Sequence, residues 1–525
     1  MLLKSFSLIV LASISCLFSN QLQAQNPNID IQKYTFSIEL NDEDDMIKAN
    51  AEIAYLLKNS SENLILDLEK KDNSGRGMLV DSILVKGTSI SFTQNERSLI
   101  IPVSSDSGKV TIFYHGIPKD GLIISKNKYG NRTFFGDNWP NRAHQWLPSI
   151  DHPSDKAFVD FKIIAPSHYQ VVANGTLKES TNLEDDKTLH YYSSEVALPT
   201  KVMVFGAAEF AVQNLEEIDN IPVSSWVYPQ NKEDGFYDYA QATEILKFFI
   251  ENIGEYPFSK LANVQSTTRY GGMENASNIF YSEKSVTGKR DSEFLMAHEI
   301  AHQWFGDSAS ETDWSQLWLS EGFATYFTDL YAENKYGKEK LQEKLKEERE
   351  KVIRFSKTTK TPIIDTTRSD YMKLLNPNSY QKGAWVLHML RQKVGDENFW
   401  KAIKSYYKNF KLGNATSKDL QREFETTSGQ DLNQFFNQWL LQYGQPVIKM
   451  KKTVKKDNLE LQISQSQKNN FTFPLEIQLN FEDGTSEIKT FQIDKKKEEF
   501  NVQLKKELKD LKFDPNVNLL FEPAN

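Results

Sequence analysis

Cysteine is almost missing from this chain: 525 residues contain one, Cys16. An internal disulfide framework is therefore excluded, as is any thiolate-rich metal cluster. Glycine is also sparse, 24 residues in all, which excludes a collagen-like repeat. Beyond the first 24 residues no apolar run approaches the length of about 18 that a membrane-spanning helix requires. A large excess of one charge sign is lacking too. The chain carries 62 basic and 71 acidic residues, a net charge of −9 spread along its length. A nucleic-acid binder would concentrate basic residues in a patch or stripe. What remains is a globular composition, 25% charged and 12% aromatic, long enough for about three or four domains.

Residues 1–24 read as a signal peptide. Lys4 supplies a short positive start, Phe6 to Phe18 form an apolar stretch, and Ala24 is a plausible cleavage edge. Cys16 lies inside this segment. Lipid anchoring there is disfavoured, because Ser13-Ile14-Ser15 is a poor lipoprotein context and the apolar run continues past the cysteine. The expectation is an exported protein, periplasmic or secreted, whose mature chain has no thiol.

The rest divides by periodicity. From 25 to 228, short alternating segments such as Lys33–Glu39, Ala51–Leu57, Lys109–Tyr114 and Val159–Ile164 predict a β-rich domain. From 229 to 444 the period becomes helical, with helices predicted at Tyr237–Ile253, Ser292–Trp304, Ser320–Tyr336, Lys338–Phe355, Ala384–Val394, Phe399–Asn409 and Leu420–Ser428. Gly337 and Gly395 sit where helix C-termini need them. From 445 to 525 alternation returns, as in a small β-sandwich. The fold class is a multidomain α+β arrangement with its chemistry in or beside the middle domain.

His298-Glu299-Ile300-Ala301-His302 lies on a predicted helix. Residues four apart share a face, so the two imidazoles can bind one ion. Glu299 is rotated by about 100° from His298 and is placed to act on a water rather than to ligate. A catalytic zinc needs a third protein ligand and an open fourth position. Glu321, 19 positions after His302 at the start of the next helix, is the economical candidate. Upstream stands Gly271-Gly272-Met273-Glu274-Asn275.

These residues resemble the aminopeptidase N family of gluzincin zinc metallopeptidases, which includes leukotriene hydrolase. His298, His302 and Glu321 match H-E-x-x-H-x18-E, and residues 271–275 match G-x-M-E-N. Tyr380-Gln381-Lys382-Gly383-Ala384 and Asp151-His152-Pro153 with Lys156-Ala157 are further points of likeness. The resemblance implies an N-terminal β-saddle domain, a thermolysin-like zinc domain and one Zn2+ per chain held by His298, His302 and Glu321. It implies Glu299 as general base and Tyr380 as the transition-state donor. Glu274 would anchor the free α-amine of a peptide substrate, with Gly271, Gly272, Met273 and Asn275 as further substrate contacts. Gly271 and Gly272 would let the substrate backbone approach closely. The activity expected is release of N-terminal residues from peptides. Glu274 argues against a thermolysin-type endopeptidase, since an amine anchor obstructs internal cleavage.

The chain also departs from the family. Asp307 replaces the usual Asn after Trp304-Phe305-Gly306, and Ala143-His144 replaces an Ala-Arg pair. A second amine acceptor in the N-terminal domain would fall near Asp137 or Asn138. His144, His152 and His388 read as structural. Many relatives end in a large helical domain that caps the site, whereas here about 80 residues of strand character follow Pro446. A more open cleft is expected, one that accepts longer peptides about as readily as dipeptides.

Overall fold

A computed structural model describes residues 28–58 and 63–524. The expected signal peptide, with Cys16, lies outside the described residues. Three layers of organisation follow the order expected from periodicity: β-rich, mostly helical, β-rich.

The N-terminal region is built on a nine-stranded sheet. Its centre is Ile29–Glu39, which pairs antiparallel with Ile47–Leu57 and parallel with Lys156–Pro166. Ile29 and Ile31 and, after a bulge, Tyr34, Phe36 and Ile38 are buried, which is why the period-two pattern was legible. A second, four-stranded sheet has the order Gln170–Ala173, Phe205–Ala208, Arg132–Gly136 and Leu122–Lys126.

The central region opens with a five-stranded sheet in the order Ala211–Asn214, Val223–Val227, Leu261–Ser266, Asn278–Ser282 and Gly272–Met273. This sheet crosses the 228/229 boundary expected from the change of period. The two-residue strand Gly272–Met273 is its edge and runs antiparallel to Asn278–Ser282.

Nine α-helices occur among the described residues: α1 (Lys232–Tyr239), α2 (Ala242–Asn252), α3 (Glu293–His302), α4 (Trp318–Tyr336), α5 (Lys338–Thr358), α6 (Gly383–Val394), α7 (Asp396–Phe410), α8 (Ser417–Ser428) and α9 (Asn433–Leu440). The single helix expected at Tyr237–Ile253 is two helices. Asp238, at the end of α1, accepts the backbone N–H groups of Thr287, Gly288 and Arg290 at 2.6–2.8 Å and ties that end to a loop. Helix α9 was not expected; at eight residues it is too short to show a period, although Phe435, Phe436, Trp439 and Leu440 are buried. Gly337 and Gly395 do end helices, with φ of +90° and +81°. In α4 every residue from Trp318 to Ala332 is buried, so this helix is the centre of the domain rather than a surface element.

After α9 only strands follow among the described residues. A four-stranded sheet faces a three-stranded one, with Leu459, Leu461 and Ile463 buried on the first and Leu475, Ile477 and Leu479 on the second. This is the small C-terminal β-sandwich, and no large helical domain is evident beside it. No helix among the described residues is long and apolar enough to cross a membrane.

Candidate metal centre and active site

Helix α3 places His298 and His302 one turn apart with their Nε2 atoms 3.2 Å from each other. Glu321, on the first turn of α4, brings Oε2 to 3.4 Å from His298 Nε2 and 3.3 Å from His302 Nε2. Four ligands at about 2.0–2.1 Å around a tetrahedral zinc ion stand about 3.3–3.4 Å apart. The triangle seen here is one face of such a tetrahedron. The donor set, two imidazoles and a carboxylate, also fits zinc, and the residues present therefore suit the ion the resemblance implies.

His302 is fixed from behind. Its Nδ1 lies 3.2 Å from the Phe305 carbonyl and 3.0 Å from Ser320 Oγ. With Nδ1–H donating to Phe305 O, Nε2 is left as the lone-pair donor. Gly306 makes this possible: it has φ of +122°, and a Cβ there would sit 2.3 Å from Ser320 Oγ. Neither Ser320 nor Phe305 was singled out in the sequence, because their roles arise only when α4 packs on α3.

Glu299 reaches the other side of the triangle. Carboxylate oxygens of Glu274 and Glu299 and a ring nitrogen of His302 all lie within 4.8 Å of one another. Burial pushes the Glu299 carboxyl well above its usual range; His302 opposes this, while Glu274 and Glu321 add to it. Glu274 is raised for the same first reason, burial, against the pull of His302. For Glu321 burial is outweighed by His302 and His298, which hold its carboxyl low. At His302 burial disfavours positive charge, but Glu321 and Glu274 outweigh it and favour a positive charge there, the place a bound cation would take. A cluster of carboxylates around two imidazoles is an environment suited to a cation.

Tyr380 stands over the triangle, its ring stacked on His298 at 6.1 Å. It lies in a π-helical turn, Asn378–Lys382. Burial first, then Glu321 and Glu274, raise its pKa well above the usual value, so the phenol keeps its proton. Two glycines set its position. A Cβ on Gly322 would be 2.9 Å from Gly383 Cα, and one on Gly383 would be 2.9 Å from Gly322 Cα. Backbone contact between α4 and α6 thus brings Glu321, next to Gly322, and Tyr380, one turn before Gly383, to the same place.

A cavity of about 240 Å³ contains the site. Gly271, Gly272, Met273, Glu274, His298, Glu299, His302, Glu321 and Tyr380 all line it, together with Trp139, Tyr270, Leu295 and Leu375. The last four were not anticipated; they come from separate stretches and share no spacing. Asn275, expected as a further substrate contact, is placed differently from its neighbours. It is fully buried and does not line the cavity, and its carbonyl accepts the N–H of Asn278.

Neither Asp137 nor Asn138, the positions where a second amine acceptor was expected, lines the cavity. Asn138 donates to the carbonyls of Thr200 and Met203 and accepts from Trp146 Nε1, so its amide is committed to the fold. Asp137 pairs with Arg142 at 2.5 Å. The loop histidines are structural, as expected: His144 Nδ1 meets Asp151 at 2.6 Å, and His152 Nδ1 meets Ser154 at 2.8 Å. His388 bridges Tyr326 and the carbonyl of Val517, joining α6 to the C-terminal sandwich.

Fold and site together define a zinc-peptidase scaffold: a metal triad on two helices beside the edge of a sheet. Residues 237–439 match the peptidase family M1 domain and residues 31–202 the peptidase M1 N-terminal domain. The chain belongs to the peptidase M1 family. Among curated relatives, "probable aminopeptidase 2" of Sulfurisphaera tokodaii is 27% identical over 407 residues, covering 73% of this chain and 51% of that protein. Tricorn protease-interacting factor F2 of Thermoplasma volcanium is 28% identical over 366 residues, covering 66% and 45%. The chain thus spans about half the length of these relatives. Among solved structures, Legionella pneumophila aminopeptidase A in complex with aspartic acid superposes with a TM-score of 0.84 at 17% identity, covering 96% of this chain and 60% of that one. A mutant M1 zinc metallopeptidase from Deinococcus radiodurans gives 0.68 at 20% identity, covering 80% and 96%.

Proposed function

We propose that this protein is a zinc-dependent aminopeptidase that hydrolyses the first peptide bond of peptides with a free N-terminus. The observation that carries this reading is the triangle of His298, His302 and Glu321 with 3.2–3.4 Å edges, set beside Glu299 and Glu274. One zinc ion per chain would be held by that triangle, where it would lower the pKa of a water towards about 7 and polarise a carbonyl.

Each remaining role belongs to a residue of the chain. Glu274 accepts a charge-assisted hydrogen bond from the substrate α-ammonium and so fixes which peptide bond is presented. The free edge of Gly272–Met273 offers backbone groups to the peptide, as an added strand would use them. Glu299 takes a proton from the attacking water and passes it to the leaving amine. Tyr380, protonated, donates to the oxygen on which negative charge develops. The protein is exported, to the periplasm or the medium, and longer peptides are accepted about as readily as dipeptides.

A panel of aminoacyl chromogenic substrates tests the reading, run with and without a chelator and with zinc added back. Activity should vanish with the chelator and return with zinc, and N-acetylated peptides should resist cleavage. Chelator-insensitive hydrolysis, or equal cleavage of acetylated peptides, would overturn it.

A further inference from the structure

Gln303 follows the second histidine directly and is fully buried. Its side chain uses its whole hydrogen-bonding capacity, two donors and two acceptor positions. Nε2 donates to the Glu274 carbonyl at 2.5 Å and to Asp307 Oδ2 at 2.8 Å. Oε1 accepts the Ser277 N–H at 2.8 Å and the Tyr256 hydroxyl at 3.1 Å. One amide thereby holds the chain at residue 274 and again at residue 277, on either side of the segment that turns away from the cavity. The Glu274 carboxylate itself is loosely provided for: its Oε1 is buried with no hydrogen-bond partner. Its position is therefore set through the backbone.

The other side of the clamp is rigid as well. The loop after α3 is gripped by lysines from the N-terminal region. Lys156 Nζ donates to the Ser308 carbonyl at 2.6 Å, and Lys201 Nζ pairs with Glu311 at 2.6 Å. Both members of the latter pair are buried. Asp307, the residue that departs from the family's usual Asn, is the acceptor joining Gln303 to this loop.

We infer that Gln303 is the positioning residue for the amine anchor: it locks Glu274 to the helix that carries His298, Glu299 and His302, and so sets the distance between the α-ammonium and the reacting carbonyl. This rests on the aminopeptidase reading above. A displacement of about 1 Å at such a site can cost about 10²-fold in rate, so a rigid link of this kind has a direct consequence for the reaction.

The test separates the two halves of the site by direct binding. Calorimetry on the zinc-loaded protein measures a simple alkylamine, which engages the anchor only, and acetohydroxamate, which engages the metal only. In Gln303→Met, similar in length and unable to hydrogen-bond, amine affinity should fall at least about tenfold while hydroxamate affinity stays within about twofold. Gln303→Asn, too short to span both carbonyl and carboxylate, should behave in the same direction. Tyr256→Phe removes one bond and leaves the clamp on Glu274, so it should keep most of the amine affinity and serves if the Gln303 variants do not fold. Unchanged amine binding in a folded Gln303 variant would overturn the inference. So would an equal loss of both ligands, which would mark a general structural role, or a large loss of amine affinity in Tyr256→Phe. Failure of the functional reading would look different: the parent protein itself would bind neither probe.

Discussion

Glu299 lies against Gly272 so closely that a Cβ on the glycine would sit 2.3 Å from Glu299 Oε1 and 2.5 Å from its Cδ. The glycine pair before Glu274 was expected to make room for substrate backbone. At Gly272 the room is taken by the proposed general base, which the edge strand holds in place. Gly271 is different, since a Cβ there would meet only Leu295, at an ordinary 3.4 Å. Gly272→Ala should therefore lower turnover by about 10²-fold with zinc content preserved, whereas Gly271→Ala should cost far less. Steady-state kinetics with metal analysis on the two variants makes the comparison. Equal effects would show that Glu299 can yield to the methyl group.

The two residues assigned to the chemical step have distinct kinetic signatures. Glu299→Gln keeps the volume and removes the base; turnover should fall by at least about 10²-fold while zinc remains bound. Tyr380→Phe removes only the phenolic donor, and its loss should appear in kcat with KM little changed, as for a contact made mainly in the transition state. A rise in KM alone would move Tyr380 to substrate binding.

The candidates His298, Glu299 and His302 were legible because they rest on local rules, whereas the role of Tyr380 was implied only by the resemblance. His298 and His302 are one helical turn apart, and α3 forms where the period predicts it. Glu321 required only that α4 return beside α3. Gln303, Ser320, Trp139 and Leu375 were illegible for the opposite reason: each acquires its role from a neighbour distant in sequence. The edge strand Gly272–Met273 is two residues long and has no period to detect. The five-stranded sheet escaped for a related reason at its centre: Val223–Val227 alternates, but all six residues of Leu261–Ser266 and the first four of Asn278–Ser282 are buried, without alternation.

Gly322 and Gly383 offer a test of the helix crossing. Either glycine replaced by Ala drives a methyl group into backbone at 2.9 Å, which no side-chain rotation relieves. The expected cost is about 1–3 kcal/mol of stability, typical of overpacking. Because Glu321 precedes Gly322 and Tyr380 lies one turn before Gly383, the same substitutions should weaken zinc binding and lower kcat together. Thermal unfolding, zinc titration and kinetics on Gly383→Ala check this. A loss of stability with unchanged zinc affinity and kcat would show that the crossing supports the fold alone.

The buried pair of His144 and Asp151 predicts a pH dependence of stability away from the catalytic site. His144 Nδ1 lies 2.6 Å from Asp151 Oδ2. Burial lowers the imidazole pKa, but Asp151 and Asp67 outweigh burial and leave it above 6.5. A group whose pKa is higher folded than unfolded binds more protons in the folded state between the two values, so stability falls as pH rises through that window. The contribution is complete below about 6.5, the unfolded value, and is lost as pH climbs through the raised folded value. His144→Gln removes the titrating group. The difference in Tm between parent and variant should be wider at pH 6 than at pH 9, measured by calorimetry with zinc held constant. A difference that is flat or grows with pH would mean that the imidazole stays neutral, held by Arg97 at 3.1 Å from Nε2, and that Asp151 acts on it only as a hydrogen-bond acceptor.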